Sequence, residues 1–259
     1  DHAKESLLAS AGRTDYSIEE LQDAIELTQN ELVSYIYDRT QVLERLKILS
    51  DKKEKVESVI HNLFMERRTQ ERYFSVGKNN LWLIDDRFTT YTYAASEKRI
   101  KEILAEIGED DEDVEILSDR PDLALFFSQN PEVPERLKSV LIEIKPFDFK
   151  SKSDRKKFAG VQQLVDYVKA FKTKENVEEI FAYLITDVDE KLAERLVGDD
   201  YKPLFSTEQP IYHRFYGTLG ISIYVIGVKT LIEDAYARNK VFLDIFKKQN
   251  KIKMLFSSN

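Results

Sequence analysis

Four short apolar runs constrain the fold of this chain more than any other feature. They are LALFF at 123–127, SVLIEI at 139–144, IFAYLI at 180–185 and ISIYVIGV at 221–228. Each has the length of a buried strand and none could span a bilayer. GVQQLVDYVKAF, with apolar residues at helical spacing, lies between the second and third runs. DEKLAERL follows the third run as a second helical pattern, and the amphipathic LIEDAYARNKVFLDIFKKQ follows the fourth. Strands and helices in this succession put the chain in the α/β class. Hydrophobic residues make up 42% and charged residues 33% of the 259, enough for a core under a heavily charged surface. That length suits one large domain, or one domain with an appendage.

The upstream part has a different pattern. Ser17 with Glu20 three residues later is a capping-box start. Leu21, Ile25, Thr28, Leu32, Tyr35, Arg39, Val42, Leu46 and Leu49 then recur in steps of four and three. This is a heptad seam with two polar interruptions, and a helix over it would be roughly 44 Å long. Residues 1–50 are therefore expected to form a helical segment, either packed on its own chain or dimerising as a coiled coil. Residues 51–259 are expected to form the globular domain. Ser50-Asp51 offers a break before a second helix, KKEKVESVIHNLFMERR, on which Glu57 and His61 share a face. NNLWLID at 79–85 reads as the first sheet strand, TTYTY as a further strand or an aromatic patch, and 98–107 as a helix. EDDEDVE at 109–115 lacks the spacing of a calcium loop, and 201–220 reads as a loop region with a short strand. The chain opens DHAKES without a methionine, so a processed or excised product is expected.

Several chemistries lack residues. Without cysteine there are no disulfides and no thiolate metal sites, which fits a cytoplasmic protein. No signal-peptide pattern opens the chain, so no membrane partner is expected. None of the eight glycines falls in dinucleotide or P-loop spacing. His2, His61 and His213 are the only histidines, and no G-x-S-x-G occurs, which disfavours a serine hydrolase and a zinc site alike. A metal here would be held by oxygen. The net charge of −8 argues against a broad basic nucleic-acid surface but leaves room for local patches.

One stretch, 120–167, gathers the remaining candidates. On the strand SVLIEIKPF, Glu143 and Lys145 project from one face because side chains alternate. An acid and a base on an apolar strand are costly unless they meet a cleft, a metal or each other. Pro121 suits a strand start and leaves Asp122 as the first side chain of the preceding strand. If the two strands pair antiparallel, Asp122 sits across from Glu143, and two carboxylates suit Mg²⁺ or Mn²⁺. Gln163 and Tyr167, one helical turn apart, could orient a phosphate. Lys150, Lys152, Arg155, Lys156 and Lys157 outnumber Asp148 and Asp154 and are placed to contact a nucleic-acid backbone. Taken singly, these also read as an ordinary turn, edge strand, helix face or solvated loop, and Glu143-x-Lys145 or Gln163-x-x-x-Tyr167 alone favours that plainer reading.

In order and setting, Pro121-Asp122, Glu143-x-Lys145 and Gln163-x-x-x-Tyr167 resemble the PD-(D/E)XK nuclease superfamily, in its RecB-like branch. More loosely, NNLWLIDDRF and LIEDAYARNKVFLDIF are similar to Shedu-type antiviral nuclease domains and to nuclease-like domains behind Hsp90-like ATPase modules in bacterial proteins. The resemblance implies a restriction-endonuclease-like mixed sheet flanked by helices. It also implies a metal-dependent nuclease, with DNA as first-choice substrate, a role in bacterial antiviral defence and an upstream sensor or ATPase domain. Asp122, Glu143 and the Ile144 carbonyl would hold the metal, with Glu57 (Glu66 as runner-up) adding a carboxylate. Lys145 would neutralise developing charge, while Gln163 and Tyr167 fix the pose. Two alternatives stand beside this: a non-cleaving nucleic-acid-binding module of the same fold, and an interaction protein whose coiled coil makes it a homo-oligomer.

Overall fold

The computed structural model describes residues 17–51, 57–73, 79–107, 119–128, 137–145, 153–172 and 176–256. The chain starts with α1 (Ile18–Asp51) and α2 (Glu57–Phe64), followed by β1 (Gln70–Arg72), two 3₁₀ turns (Leu81–Leu83 and Asp86–Thr90), β2 (Tyr93–Ser96) and α3 (Ile100–Glu106). Next come β3 (Leu123–Phe127), β4 (Leu137–Ile144), α4 (Ser153–Lys172), β5 (Val177–Thr186) and α5 (Glu190–Gly198). The last elements are β6 (Lys202–Leu204), β7 (Ile211–Tyr216), β8 (Ile221–Gly227) and α6 (Val228–Phe256). Among the described residues, no helix is long and apolar enough to cross a membrane. Two compact units form: Arg45–Ala235, and the chain ahead of Arg45 together with the chain from Tyr236 on.

The Arg45–Ala235 unit holds one mixed sheet of eight strands in the order β1-β2-β3-β4-β5-β8-β7-β6. Its two ends are antiparallel, and the centre, β4-β5-β8, is parallel. The parallel β4–β5 pair needs a long crossover, which α4 supplies. Alternation divides the central strands into two faces. Leu137 and Leu141 of β4, Ala182 and Leu184 of β5, and Ile223 and Val225 of β8 join Val161, Leu164, Val168 and Phe171 of α4 in one core cluster. Lys138, Val140, Phe181, Tyr183 and Tyr224 therefore belong to the opposite face.

Two local readings change. NNLWLID is not a strand: it holds one 3₁₀ turn, Leu81–Leu83, and leads into a second, Asp86–Thr90, while its polar side chains bond to α2 and to nearby residues instead of flanking a ladder. Asn80 donates to the Leu63 carbonyl (2.7 Å) and accepts from Trp82 Nε1 (3.0 Å), while Asp85 accepts from the Arg87 amide at 2.8 Å. Leu81 to Ile84 are all buried, so the run has none of the one-sided burial of an exposed-face strand. The sheet edge is instead Gln70–Arg72, polar and short, whose Glu71 accepts from the Tyr91 hydroxyl at 2.5 Å and from Asn79 Nδ2 at 3.1 Å. The 201–220 region forms two strands, β6 and β7, that continue the sheet from β8. EDDEDVE lies outside the described residues.

In the other unit, α1 buries Ile36, Arg39 and Leu43, whereas Leu32 is 41% and Tyr37 60% exposed. The buried stripe is thus displaced by one position from Tyr35 and Val42 of the heptad reading. Asn239 of α6 donates to Thr40 Oγ1 (2.8 Å) and to the Ile36 carbonyl (3.4 Å), so this stripe packs within the chain.

Candidate active site

Asp122 stands one residue ahead of β3. The antiparallel register pairs Leu123 with Ile142, which sets Asp122 across from Glu143. Its Oδ2 accepts from the Ile144 amide at 2.7 Å, binding the start of β3 to the end of β4 through a side chain. Its carbonyl accepts from the Glu97 amide (3.0 Å) and from His61 Nε2 (3.1 Å). A carbonyl can only accept, so His61 carries its proton on Nε2. Its Nδ1 is buried without a hydrogen-bond partner.

Glu143 lies on β4 and is only 4% exposed. Burial, reinforced by the nearby Asp122 charge, pushes its carboxyl up from 4.5 to about 8, against the opposing pull of Lys145. Oε1 accepts from Lys145 Nζ at 2.5 Å, while Oε2 is buried with no partner. A buried carboxylate oxygen left bare beside a second carboxylate is the chemistry of a cation site that hydrogen bonds do not complete.

Lys145 follows β4, and its amide donates to the Ile185 carbonyl at 2.9 Å, continuing the β4–β5 ladder. Its stem lies against Gly160 of α4. A Cβ there would come within 3.0 Å of Lys145 Cγ and Cε and 2.9 Å of Leu184 Cδ1. Gly160 thus lets the helix approach closely enough to confine the lysine. Tyr167 is buried, with its hydroxyl donating to the Arg120 carbonyl at 3.3 Å. Burial first, then Glu143 and Asp122, raises its pKa. Gln163, one turn earlier, is exposed.

Asp122, Glu143, Lys145 and Tyr167 therefore come together, with the Ile144 backbone between the first two. Glu57 opens α2, but its side chain lies outside the described residues, as do Lys150 and Lys152. Glu66 is exposed. Arg155 and Lys156 are exposed in the first turn of α4. Lys157 is a correction. It is 1% exposed, and its ammonium lies 3.4 Å from Asp189 and 3.5 Å from Asp187, so it does not face a nucleic-acid backbone. The signal was available: 157, 161, 164, 168 and 171 form a single helical stripe, and Lys157 heads it.

Sequence reasoning also missed Glu97. Among the described residues, ligand atoms of His61, Glu97 and Asp122 lie within 4.8 Å of one another. Glu97 sits at φ 49°, a strained value for a residue with a side chain. Burial raises its pKa, but the Arg67 hydrogen bond and charge, with His61 and Arg68, outweigh it and hold the group below its ordinary value. Arg67 pairs with it directly and Arg68 lies 3.7 Å away. With Glu97 paired to arginines and His61 Nε2 spent on the Asp122 carbonyl, this trio buttresses Asp122 more than it opens a second ligand set. Glu97 belongs to no sequence motif, so nothing short of the fold would have found it.

No family model, curated protein or solved structure matches this chain. The functional reading stands on the site itself.

Proposed function

We propose that the chain is a metal-dependent nuclease that hydrolyses phosphodiester bonds of nucleic acid, DNA first, on a restriction-endonuclease-like core. One observation carries the reading: two opposed carboxylates and a lysine converge where Glu143 Oε2 is buried and unpartnered. A purely structural Glu–Lys pair would sit poorly in a site that also adds Asp122, because like charges at close range raise each other's cost.

The residues fit a hard divalent cation. Asp122, Glu143 and the Ile144 carbonyl would hold Mg²⁺ or Mn²⁺, oxygen ligands being what those ions take. When bound, the ion supplies Lewis-acid stabilisation of phosphate charge. Lys145 Nζ, aimed by its bond to Glu143 Oε1, puts a cation where charge grows on the phosphate oxygens. Gly160 and Leu184 restrict its stem, so little reorganisation is needed. The Tyr167 hydroxyl, held by the Arg120 carbonyl, keeps the α4 wall of the site in place. Arg155 and Lys156 contact backbone phosphates, which gives grip without base reading. Glu57 and Gln163 are proposed as supporting groups, and a cytoplasmic, defence-related setting, self-association and an upstream sensor or ATPase domain are proposed with them.

The test is conversion of supercoiled plasmid, single-stranded DNA and RNA by the purified chain in Mg²⁺ or Mn²⁺, with EDTA as control. Metal-dependent cutting is expected. No cutting of any substrate under either ion, with folding intact, refutes the reading in favour of a binding module.

A further inference from the structure

Followed towards the Asp122 end, the strand registers align four residues. Gln70 of β1 pairs with Ala95 of β2, Ala95 with Ala124 of β3, and Ala124 with Leu141 of β4. Two positions further along, the same alignments bring Arg68, Glu97, Asp122 and Glu143 into one row across the sheet. Contacts follow that row. The Ser96 amide donates to the Thr69 carbonyl at 2.9 Å, and the Glu97 amide to the Asp122 carbonyl at 3.0 Å. A carboxylate oxygen of Glu97 lies within 4.8 Å of one on Asp122, and Arg68 Nε lies 3.7 Å from Glu97 Oε2. The Asp122–Glu143 pair is therefore joined, through Glu97, to an arginine at the end of its own row.

Glu97 does not account for that arginine. Arg67 already holds Glu97, its Nε donating to Oε1 at 2.6 Å. Arg68 meets Glu97 only at a distance too long for a hydrogen bond, and its side chain is 77% exposed. An exposed pair of this kind contributes little. The Arg68 backbone is at φ 62°, a left-handed conformation that glycine adopts without steric cost. A bulky side chain kept at a strained and exposed position calls for a use that the fold itself does not supply. Arginine offers a permanent charge on a planar fork that matches phosphate oxygens. Within the trio, Arg67 cancels the Glu97 charge and Arg68 is one positive charge in excess. A polyanion approaching Asp122 and Glu143 needs such a charge beside them.

We propose that Arg68 binds a backbone phosphate of the substrate strand, about three nucleotides from the phosphate at the Asp122–Glu143 pair. The spacing follows from the sheet. Neighbouring strands lie about 4.8 Å apart, so two of them separate Arg68 from Asp122 by about 10 Å. One nucleic-acid strand advances about 3.4 Å per phosphate. The proposal rests on the nuclease reading for its ligand, and it extends the phosphate contacts beyond Arg155 and Lys156 of α4.

The experiment is fluorescence anisotropy of a labelled 20-base-pair DNA duplex, in EDTA and across a salt series, with the full chain, Arg68→Gly and Arg68→Lys. Arg68→Gly should melt at about the parent temperature, because the strain it relieves offsets the chain entropy that glycine loses on folding. It should nevertheless bind the duplex about ten-fold more weakly, with a salt slope lower by about 0.9, the value for one phosphate contact. Arg68→Lys keeps the charge and should keep the parent slope. In plasmid nicking with Mg²⁺, Arg68→Gly should raise KM about ten-fold at unchanged kcat, as expected of a contact made equally before and in the transition state. A merely structural arginine would lower the melting temperature and leave the salt slope alone. Parent affinity and parent slope in Arg68→Gly would overturn the proposal and leave the nuclease reading standing. A parent chain that binds the duplex but cuts nothing in Mg²⁺ or Mn²⁺ defeats the nuclease reading, while the slope still decides Arg68. A parent chain that does not bind DNA overturns both.

Discussion

The buried proton on Glu143 gives the sharpest quantitative consequence. Burial and the Asp122 charge push its carboxyl up to about 8, so most molecules carry that proton at pH 7 and few do at pH 9. A divalent ion needs the deprotonated carboxylate, so binding must expel what is there. Calorimetric titration with Mg²⁺ or Mn²⁺ in buffers of different ionisation enthalpy measures this directly. The expected release is most of a proton at pH 7 and little at pH 9, with apparent affinity rising between them. Glu143→Gln, which has no proton to lose, should abolish the release and weaken binding. The linkage sign for the metal-free protein follows from the same shift. The folded pKa is raised, so the stability Glu143 contributes is greatest below about 4.5, declines as pH rises, and is gone above about 8. Proton release near zero at pH 7 would refute the reasoning, because Glu143 would then already be ionised beside Lys145.

Other consequences are simpler to state. Gly160→Ala puts a methyl against Lys145 and Leu184, where atoms would approach to 2.9–3.0 Å. It should cut nuclease activity while costing at most about 1–3 kcal/mol in a urea melt, partly offset by the helix preference for alanine. Lys157→Ala should cost about 3 kcal/mol, the bottom of the range for a broken buried pair, because Asp187 and Asp189 keep 22% and 38% exposure. Lys157→Met should be nearly neutral in stability and in nucleic-acid affinity. Changing Arg155 and Lys156 together to Gln should instead weaken DNA binding and lower its salt slope by about 2, read by fluorescence anisotropy across a salt series. In the smaller unit, Leu32, Val33, Tyr37, Val241 and Phe242 are 41–60% exposed. Light scattering over a concentration series should show self-association that Tyr37→Glu with Val241→Glu reduces.

The four apolar runs were legible because burial on both faces leaves a continuous apolar signature, and all four appear as strands of the central sheet. The Asp122–Glu143 register was legible too, since antiparallel pairing of neighbouring strands follows from a short connection. Polar edges left no such signature. Gln70–Arg72 is a three-residue strand held by Glu71, Tyr91 and Asn79, a side-chain network assembled across 20 residues. Lys157 was misassigned because its charge outweighed its position in the helical stripe. Glu97 and the His61–Asp122 contact depend on tertiary closure, with 61 positions separating the two hydrogen-bonded groups. Gly160 was silent for a related reason: a missing side chain acquires meaning only from what packs against it.

The most direct measurement of the central claim is the initial rate of plasmid nicking in Mg²⁺ for the parent chain and for Lys145→Ala. Circular dichroism melts of both would confirm that each is folded. Removing the lysine should lower the rate at least about 10²-fold, the scale for one preorganised transition-state donor, with little change in melting temperature. Nicking by Lys145→Ala at the parent rate would contradict the assignment of this site.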